Sequence, residues 1–373
     1  MRKNYALDMT CGPFFKKILI FSVPLMLTGL LQLAYNTADV VVVGRFVGKE
    51  ALAAVGSTGS LINLFVNLFI GISMGSGVVV ARHIGENNDK GVRECVHTSM
   101  LLSIFCGFFI GVLGFFTSGE MLKIMNAPDD VIDLATLYLK IYFLGSPGLM
   151  AYNFGAAIVR STGDTKRPLY ILTFSGLVNV ALNLFFVIVL KFGVSGVAIP
   201  TIISQYLSAL LIIIHLKRMN NACRLSFRSL RIHSAELRDI LRIGLPAGIQ
   251  SSLFSVSNVV IQSTVNSFGS SAMAGVAAGS NYDAYIYTCT NAISQTTMTF
   301  ASQNMGARKY SNLGRVYRHC LLITLAIGVG MGLLGMAFGD FIVGLFSDDP
   351  EVIAIGAERL RLIMPFYFFC SLM

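Results

Sequence analysis

Apolar runs long enough to cross a membrane recur along the whole chain, separated by short charged or glycine-rich loops. A membrane-spanning helix needs about 20 mostly apolar residues. The pattern predicts ten spans, at about residues 14–43, 53–80, 95–117, 131–157, 168–190, 194–216, 240–267, 276–304, 317–338 and 352–373. Only 13% of the 373 residues are charged and 54% are hydrophobic, which excludes an ordinary soluble domain. We therefore expect an all-α polytopic membrane protein.

The net charge of +9 follows the predicted topology and does not indicate a nucleic-acid partner. About 21 of the 28 Lys and Arg residues fall in loops on the N-terminal side of the membrane, and about four fall in the opposite loops. Because cytoplasmic loops carry the excess of basic residues, we expect the N-terminus and the even-numbered loops in the cytoplasm. We interpret the basic surface as topology and contact with lipid headgroups.

The second half of the chain repeats the first at an offset of about 221 to 222 residues. Five pairs share a register: Pro24 with Pro246, Gly48 with Gly269, Ala51 with Ala272, Gly85 with Gly306, and Pro128 with Pro350. Six spans separate equivalent points, so we expect two parallel-repeat helical lobes related by an axis along the membrane normal. We assign residues 1–216 to an N-lobe, 217–238 to a basic cytoplasmic linker and 239–373 to a C-lobe.

The two lobes are unequal in length, because the first holds six predicted spans and the second holds four. Equal lobes would give twelve spans and need roughly 70 to 80 further residues. We therefore interpret the sequence as a C-terminally truncated form of a twelve-span protein, and we expect such a form not to transport on its own.

A single carboxylate, Asp39, lies in the first span beside four consecutive valines. Placing a carboxylate in hydrocarbon costs about 2.5 kcal/mol or more, so it should face a partner or a water-filled cavity. Asp39 is therefore the leading candidate for an ion-coupling site. Its position late in the span equally allows an outer helix cap in contact with interfacial water.

Polar residues in the fifth and sixth spans are candidate partners for Asp39. Asn179 and Asn183 are four residues apart and lie on one helical face, and Thr201 follows in the next span. Their oxygens suit a hard cation or a hydrogen-bond network around a proton. Amides in membrane helices also hold helices together, and this second interpretation stays open.

Further polar residues inside the spans are candidates for the wall of a substrate cavity: Gln32, Tyr35, Asn36, Asn153 and Asp283. Asp283 has three interpretations, as a structural residue bonded by Tyr282, Tyr285 or Asn281, as a counter-charge for substrate, or as a second coupling site. At the counterpart of Asp39 the second half offers Gln262 or nearby Val260 and Ile261, none of them acidic. Pro24 and Pro246 are expected to let the first helix of each lobe bend.

The sequence resembles the multidrug and toxic compound extrusion (MATE) family. The resembling stretches are KILIFSVPLMLTGLLQLAYNTADVVVVGRFVGKEALAAVG, VARHIGE, RSTGDTKRP and TTMTFASQNMGA. The resemblance implies a twelve-helix exporter of amphipathic, often cationic, compounds that works by alternating access in exchange for Na⁺ or H⁺. It also implies a bacterial inner-membrane protein with an N-lobe cation site at Asp39, Asn179, Asn183 and Thr201.

Two features depart from the pattern that the resemblance implies. Some relatives carry an acid where this chain has Asn183, which leaves the identity of the coupling ion open. Other branches carry a glutamate in the seventh helix, whereas the seventh span here runs SSLFSVSNVV. No C-lobe coupling mechanism is therefore predicted.

Other functions are less well supported by the sequence. A flippase for a lipid-linked saccharide, found in the same superfamily, would need several basic residues inside the spans, and nearly all lie in loops. An intramembrane enzyme is not indicated, because no H-E-x-x-H motif, aspartate pair or nucleophile with a base is present. The seven cysteines show no C-x-x-C spacing. We expect a monomeric, non-enzymatic transporter of small organic molecules, in contact with lipid, with Na⁺ or H⁺ as coupling ion and no cofactor.

Overall fold

The computed structural model describes residues 7–124, 129–266, 270–345 and 349–372, which form helices joined by short connections and contain no strand. In chain order the helices are α1 (Phe14–Phe46), α2 (Lys49–Gly85), α3 (Asp89–Ile124), α4 (Asp129–Leu144), α5 (Ser146–Ser161), α6 (Lys166–Leu184), α7 (Ser195–Arg218), α8 (Ser234–Asn266), α9 (Ser270–Gly306), α10 (Tyr310–Ala337), α11 (Gly339–Gly344), α12 (Pro350–Ile363) and α13 (Tyr367–Leu372).

Each predicted span coincides with helical structure, although not every span is equally apolar. Among the described residues, six helical stretches are long and apolar enough to cross a membrane: Phe14–Phe46, Leu61–Gly85, Asp89–Lys123, Lys166–Val189, Ser195–Arg218 and Tyr310–Ala337. The other predicted spans fall on α4 with α5, on α8, on α9 and on α12 with α13. These helices are either interrupted or rich in Ser, Thr and Asn, so composition alone does not identify them as membrane spans.

The helix boundaries reproduce the sequence repeat. Helices α1 and α8 each have 33 residues, and α2 and α9 each have 37. The helices α3 and α10 begin at equivalent positions, as do α4 and α12. The predicted pairs cannot all be compared, because Gly269 and Pro128 lie outside the described residues, as do the side chains of Ala272, Val260 and Gln262.

The predicted fourth span, residues 131–157, is two helices in the structure. Helix α4 ends at Leu144 and α5 begins at Ser146, with Pro147 in its first turn. Proline has no N–H to continue the hydrogen bonding of the preceding helix, so a new helix starts here. The Tyr206 hydroxyl of α7 donates to the Leu144 carbonyl over 2.8 Å and satisfies the helix end. The break recurs in the second half at the 3₁₀ turn Met364–Phe366.

Helix α1 packs against both lobes. Its first half contributes Phe14, Ile18 and Phe21 to an apolar cluster with side chains of α9 and α10. Its second half contributes Val42 and Val43 to a separate cluster with side chains of α4 and α7. Its repeat counterpart, α8, packs most extensively against α2. In each lobe, the beginning of the first helix therefore packs against the other lobe.

The end of the molecule where α2 and α9 terminate is called the basic face below. Here a Cβ added to Gly85 would lie 2.1 Å from the Gln303 carbonyl oxygen, and one added to Gly306 would lie 2.0 Å from the Arg82 carbonyl oxygen. Only glycine allows two backbones to cross at this distance. The Gln303 side chain also donates to the Ser161 carbonyl over 2.8 Å. The two lobes are thus in direct contact at the basic face.

The linker between the lobes lies at the same face. Its non-helical part runs over residues 219–233, with one 3₁₀ turn at Phe227–Ser229, so the outer parts of the predicted linker, residues 217–238, belong to α7 and α8. The His233 backbone N–H donates to Thr98 Oγ1 over 3.1 Å, which fastens the linker to α3.

Candidate functional site

Close packing of α1 against α6 positions Asp39. Tyr35 lies one turn before Asp39, and its ring covers Gly176 so closely that a Cβ there would lie 2.0 Å from the ring. The Tyr35 hydroxyl donates to the Thr173 carbonyl over 3.2 Å. The absence of a side chain at Gly176 therefore lets α1 approach α6, and it brings Asp39 to the next polar turn of α6.

The structure brings Asp39 together with both predicted amides. Asn183 Nδ2 donates a hydrogen bond to Asp39 Oδ1. All three side chains are buried: Asp39 is 9% exposed, Asn179 5% and Asn183 1%. Helix α1 continues past Asp39 to Phe46, so Asp39 is not an outer helix cap in interfacial water.

The Asn179 amide connects Asp39 to α7. Its nitrogen donates to Asp39 Oδ1 over 3.1 Å, and its oxygen accepts from the Thr201 backbone N–H over 3.3 Å. Thr201 therefore joins the cluster through Asn179.

The donor set of this cluster suits a hard cation. Asn183 Oδ1 is buried and accepts no hydrogen bond from any described residue. It belongs to the amide that donates to the Asp39 carboxylate. Side-chain carboxylate, amide and hydroxyl oxygens from three helices meet at this point, and they are the ligand types that Na⁺-like ions prefer. An unpaired buried carbonyl is costly unless something else satisfies it.

An apolar layer lies between the cluster and the end of the helices opposite the basic face. It consists of Val42 and Val43 of α1 with Tyr138, Val187 and Val197. Directly after Asn183 the α6 helix widens into the π-helical turn Phe185–Val189. Such widened turns are frequent at functional sites, because they re-aim neighbouring side chains.

The other predicted cavity residues lie outside this cluster. Gln32 and Asn36 are exposed on α1. Asn153 is half-buried and donates to the Leu149 carbonyl within its own helix over 2.9 Å. Pro24 and Pro246 both lie inside helices, α1 and α8 respectively.

Asp283 forms an ion pair that sequence reasoning did not anticipate. Arg359 Nη2 of α12 donates to Asp283 Oδ2 of α9 over 2.6 Å, with side chains 19% and 18% exposed. A second atom of each group, Asp283 Oδ1 and Arg359 Nη1, is buried without a partner among the described residues. An arginine inside the tenth predicted span was the available signal, since an intramembrane charge calls for an opposite charge.

Gln205 is a second residue that the sequence analysis did not select. It lies one turn after Thr201 on α7, is 9% exposed, and its Oε1 accepts no hydrogen bond from the described residues. Its side chain fills the helix break, because a Cβ added to Gly145 would lie 2.0 Å from Oε1. The sequence feature that could have identified Gln205 is its spacing of four residues from Thr201, which places both side chains on one face of α7.

Comparisons with known proteins agree with this architecture. The MatE family model matches residues 24–185 and 246–373. The probable multidrug resistance protein YpnP of Bacillus subtilis is 27% identical over 98% of this chain and 81% of its own length. The probable multidrug resistance protein YoeA of the same organism is 29% identical over 92% of this chain and 76% of its own length.

A solved structure shows the same fold. A MOP superfamily transporter from Pyrococcus furiosus aligns with a TM-score of 0.92 at 23% identity, covering 100% of this chain and 83% of that one. This likeness and the helix pattern confirm the predicted all-α, multi-pass, two-lobe architecture. Since the family model matches well over half of its residues, the chain belongs to the MatE family of membrane transporters.

Proposed function

We propose that the chain is an antiporter that exports amphipathic, often cationic, organic compounds in exchange for Na⁺ or H⁺ by alternating access. We further propose that it lies in the inner membrane of a bacterial cell with the basic face in the cytoplasm. The names of the relatives, probable multidrug resistance proteins, support the substrate class. The observation that carries the coupling role is a buried carboxylate, Asp39, beside an amide oxygen, Asn183 Oδ1, that accepts no hydrogen bond from any described residue.

Asn179 is placed to respond to ion binding. Without an ion its amide nitrogen donates to the Asp39 carboxylate. With a cation beside Asp39, a rotation of the amide would turn its oxygen to the ion and complete the coordination. A proton on Asp39 would have a similar effect, because a protonated carboxyl donates to the Asn179 oxygen.

Ion binding must favour one conformation of the lobes if it is to drive export. Helix α1 meets this requirement, since its outer half carries Asp39 and its inner half packs against the C-lobe. Contact between the lobes at the basic face supports a state closed to the cytoplasm. The exposed Gln32 and Asn36, with Asn153 and Asp283, stay our candidates for contact with substrate.

The test is Asp39→Asn, which keeps the shape of the side chain and removes its charge. In proteoliposomes that hold the twelve-span form expected from the repeat, we expect efflux of a cationic dye to respond to an imposed Na⁺ or H⁺ gradient, and we expect the variant to lose that response. Asp133→Asn, which removes an exposed carboxylate on α4, is the matched control and should behave as the unmodified protein does. Efflux that ignores both gradients, or that persists in Asp39→Asn, rejects the coupling role.

A binding measurement makes the test independent of transport. If Na⁺ is the ion, replacing choline by Na⁺ at constant ionic strength should raise the thermal unfolding midpoint of the detergent-solubilised protein. The rise should vanish in Asp39→Asn and persist in Asp133→Asn. A rise of equal size in both variants would show that Na⁺ binds elsewhere.

A further inference from the structure

A cavity of about 950 Å³ opens at the basic face between the start of α3, the end of α7 and the linker. Four basic side chains line it, Arg93, Lys217, Arg224 and Arg228, together with one carboxylate, Asp89. Among the described residues, no carboxylate forms a salt bridge with Arg224 or Arg228. Within the described part of the chain, the lining of the cavity therefore carries an excess of positive charge.

The cavity is held open by fixed contacts and is not a gap under a loose loop. Buried His97 donates from Nδ1 to the Arg93 carbonyl over 2.7 Å and accepts at Nε2 from the Ser226 N–H over 3.2 Å. The neighbouring linker residues Cys223 and Leu225 are fully buried in the N-lobe core. Because both sides of the linker are fastened, the backbone that carries Arg224 and Arg228 is fixed beside the cavity.

The position and the rim of the cavity indicate what would enter it. Leu216, the last apolar residue of α7, is fully buried, and Lys217 follows it directly, so the cavity lies where the span ends. Phe227, another lining residue, is 55% exposed, and Lys217 Nζ lies 4.9 Å from the centroid of its ring. Exposed aromatic and basic side chains combined in this way are typical of segments that lie in the headgroup region.

We propose that this cavity binds the phosphate headgroup of an anionic phospholipid from the leaflet at the basic face. Guanidinium groups recognise phosphate oxygens through paired hydrogen bonds, and Arg224 and Arg228 are available for this. Phe227 contacts the upper part of the acyl chains. A soluble phosphate would use the arginines but would gain nothing from Phe227, which is why we assign a lipid.

The test compares two charge-matched double variants. Arg224→Gln with Arg228→Gln removes two charges from the cavity, whereas Arg315→Gln with Arg318→Gln removes two exposed charges from the start of α10 at the same face. Lipid binding is measured by native mass spectrometry and by the unfolding midpoint of the detergent-solubilised protein during titration with phosphatidylglycerol. Phosphatidylcholine is the zwitterionic reference and glycerol phosphate is the soluble arm.

We expect the cavity variant to bind phosphatidylglycerol about 30-fold more weakly, since each basic residue near an anionic surface contributes roughly a fivefold factor. The control variant should lose less than about threefold. Phe227→Ser should weaken binding of the lipid and leave any binding of glycerol phosphate unchanged. Equal losses in the two double variants would overturn the site, and equal stabilisation by glycerol phosphate and lipid would overturn the lipid assignment.

Discussion

At the scale of single residues, the acids Asp39 and Asp283 have different surroundings. Asp39 has amide neighbours and no basic partner among its described contacts, so its charge is available to an ion. Asp283 is already neutralised by Arg359. Among the described residues Asp39 thus has no ionic partner and Asp283 has one, and this difference supports the proposed coupling role of Asp39 and favours the structural interpretation of Asp283.

Removing one member of the Asp283–Arg359 pair should destabilise the protein strongly. Arg359→Gln or Asp283→Asn alone leaves a buried charge without its counter-charge, which typically costs about 3–5 kcal/mol, and the double substitution should cost less than the two added together. Thermal unfolding in detergent measures this. Arg361→Gln is the matched control, because its pair with Asp340 is more than half exposed and should contribute little.

The opposite outcome is equally informative for Asp283. Single variants that unfold normally but lose dye efflux would contradict the structural role and favour contact with substrate. The sequence alone could not decide this, because Arg359 lies 76 residues away along the chain. Charge in a span predicts that a partner exists, but identifying the partner requires the packing of α12 on α9.

At the scale of helices, the contact of α1 with α6 depends on the missing side chain at Gly176. We expect Gly176→Ala to push the Tyr35 ring away, to separate the two helices and to reduce any ion-dependent stabilisation. Thermal unfolding with and without the coupling ion measures this, and adding Tyr35→Ala should restore part of the loss. Gly330→Ala on α10 is the control, since its new methyl group meets no atom within 4 Å and should stabilise by about 0.5–1 kcal/mol.

Most helices could be predicted from the sequence, and their interruptions could not. The long apolar runs predicted most helices, because a helix in contact with lipid needs such a run. The repeat predicted which helices of the two halves are equivalent, and these helices share boundaries. The break at Gly145 could not be predicted, because the sequence stays apolar on both sides of Pro147.

The candidate site could be predicted only in part. The spacing of Asn179 and Asn183 predicted one polar face, but only the packing of α1 could show that Asp39 lies against it. Tyr35 was selected for polarity, whereas its ring is used against Gly176.

At the scale of the whole molecule, residues 7–12 tie the lobes together at the basic face. Met9 is fully buried among side chains of α1, α9 and α10. Its carbonyl accepts from Asn304 Nδ2 over 2.9 Å, and the Thr10 carbonyl accepts from Asn312 Nδ2 over 3.0 Å. On the other side Leu7 touches Gly163, in the loop between α5 and α6 of the N-lobe. Opening of this face must release the segment.

We therefore expect Met9→Ala to favour a state open at the basic face. Burying a methionine side chain contributes about 1.5–3 kcal/mol, so the ratio of open to closed molecules should rise about tenfold or more. Spin labels at Arg93 and Arg315, one on each lobe, would report this as a longer distance. Met9→Leu keeps an apolar side chain of similar size and should resemble the unmodified protein. An unchanged distance distribution in Met9→Ala would mean that the segment does not hold the lobes together.

The division of α1 between the lobes has a consequence for adaptation to new compounds. Helix α1 touches both halves of the molecule. If the chain transports as proposed, this helix takes part in every cycle, whichever compound is carried. Substitutions along it should therefore alter the turnover of all compounds to a similar degree. Changes that broaden or narrow the range of accepted molecules should instead arise on helices that belong to a single lobe. In a selection with several toxic compounds, mutations on α1 should change resistance to all of the compounds, and mutations on helices of a single lobe should change resistance to only some of them.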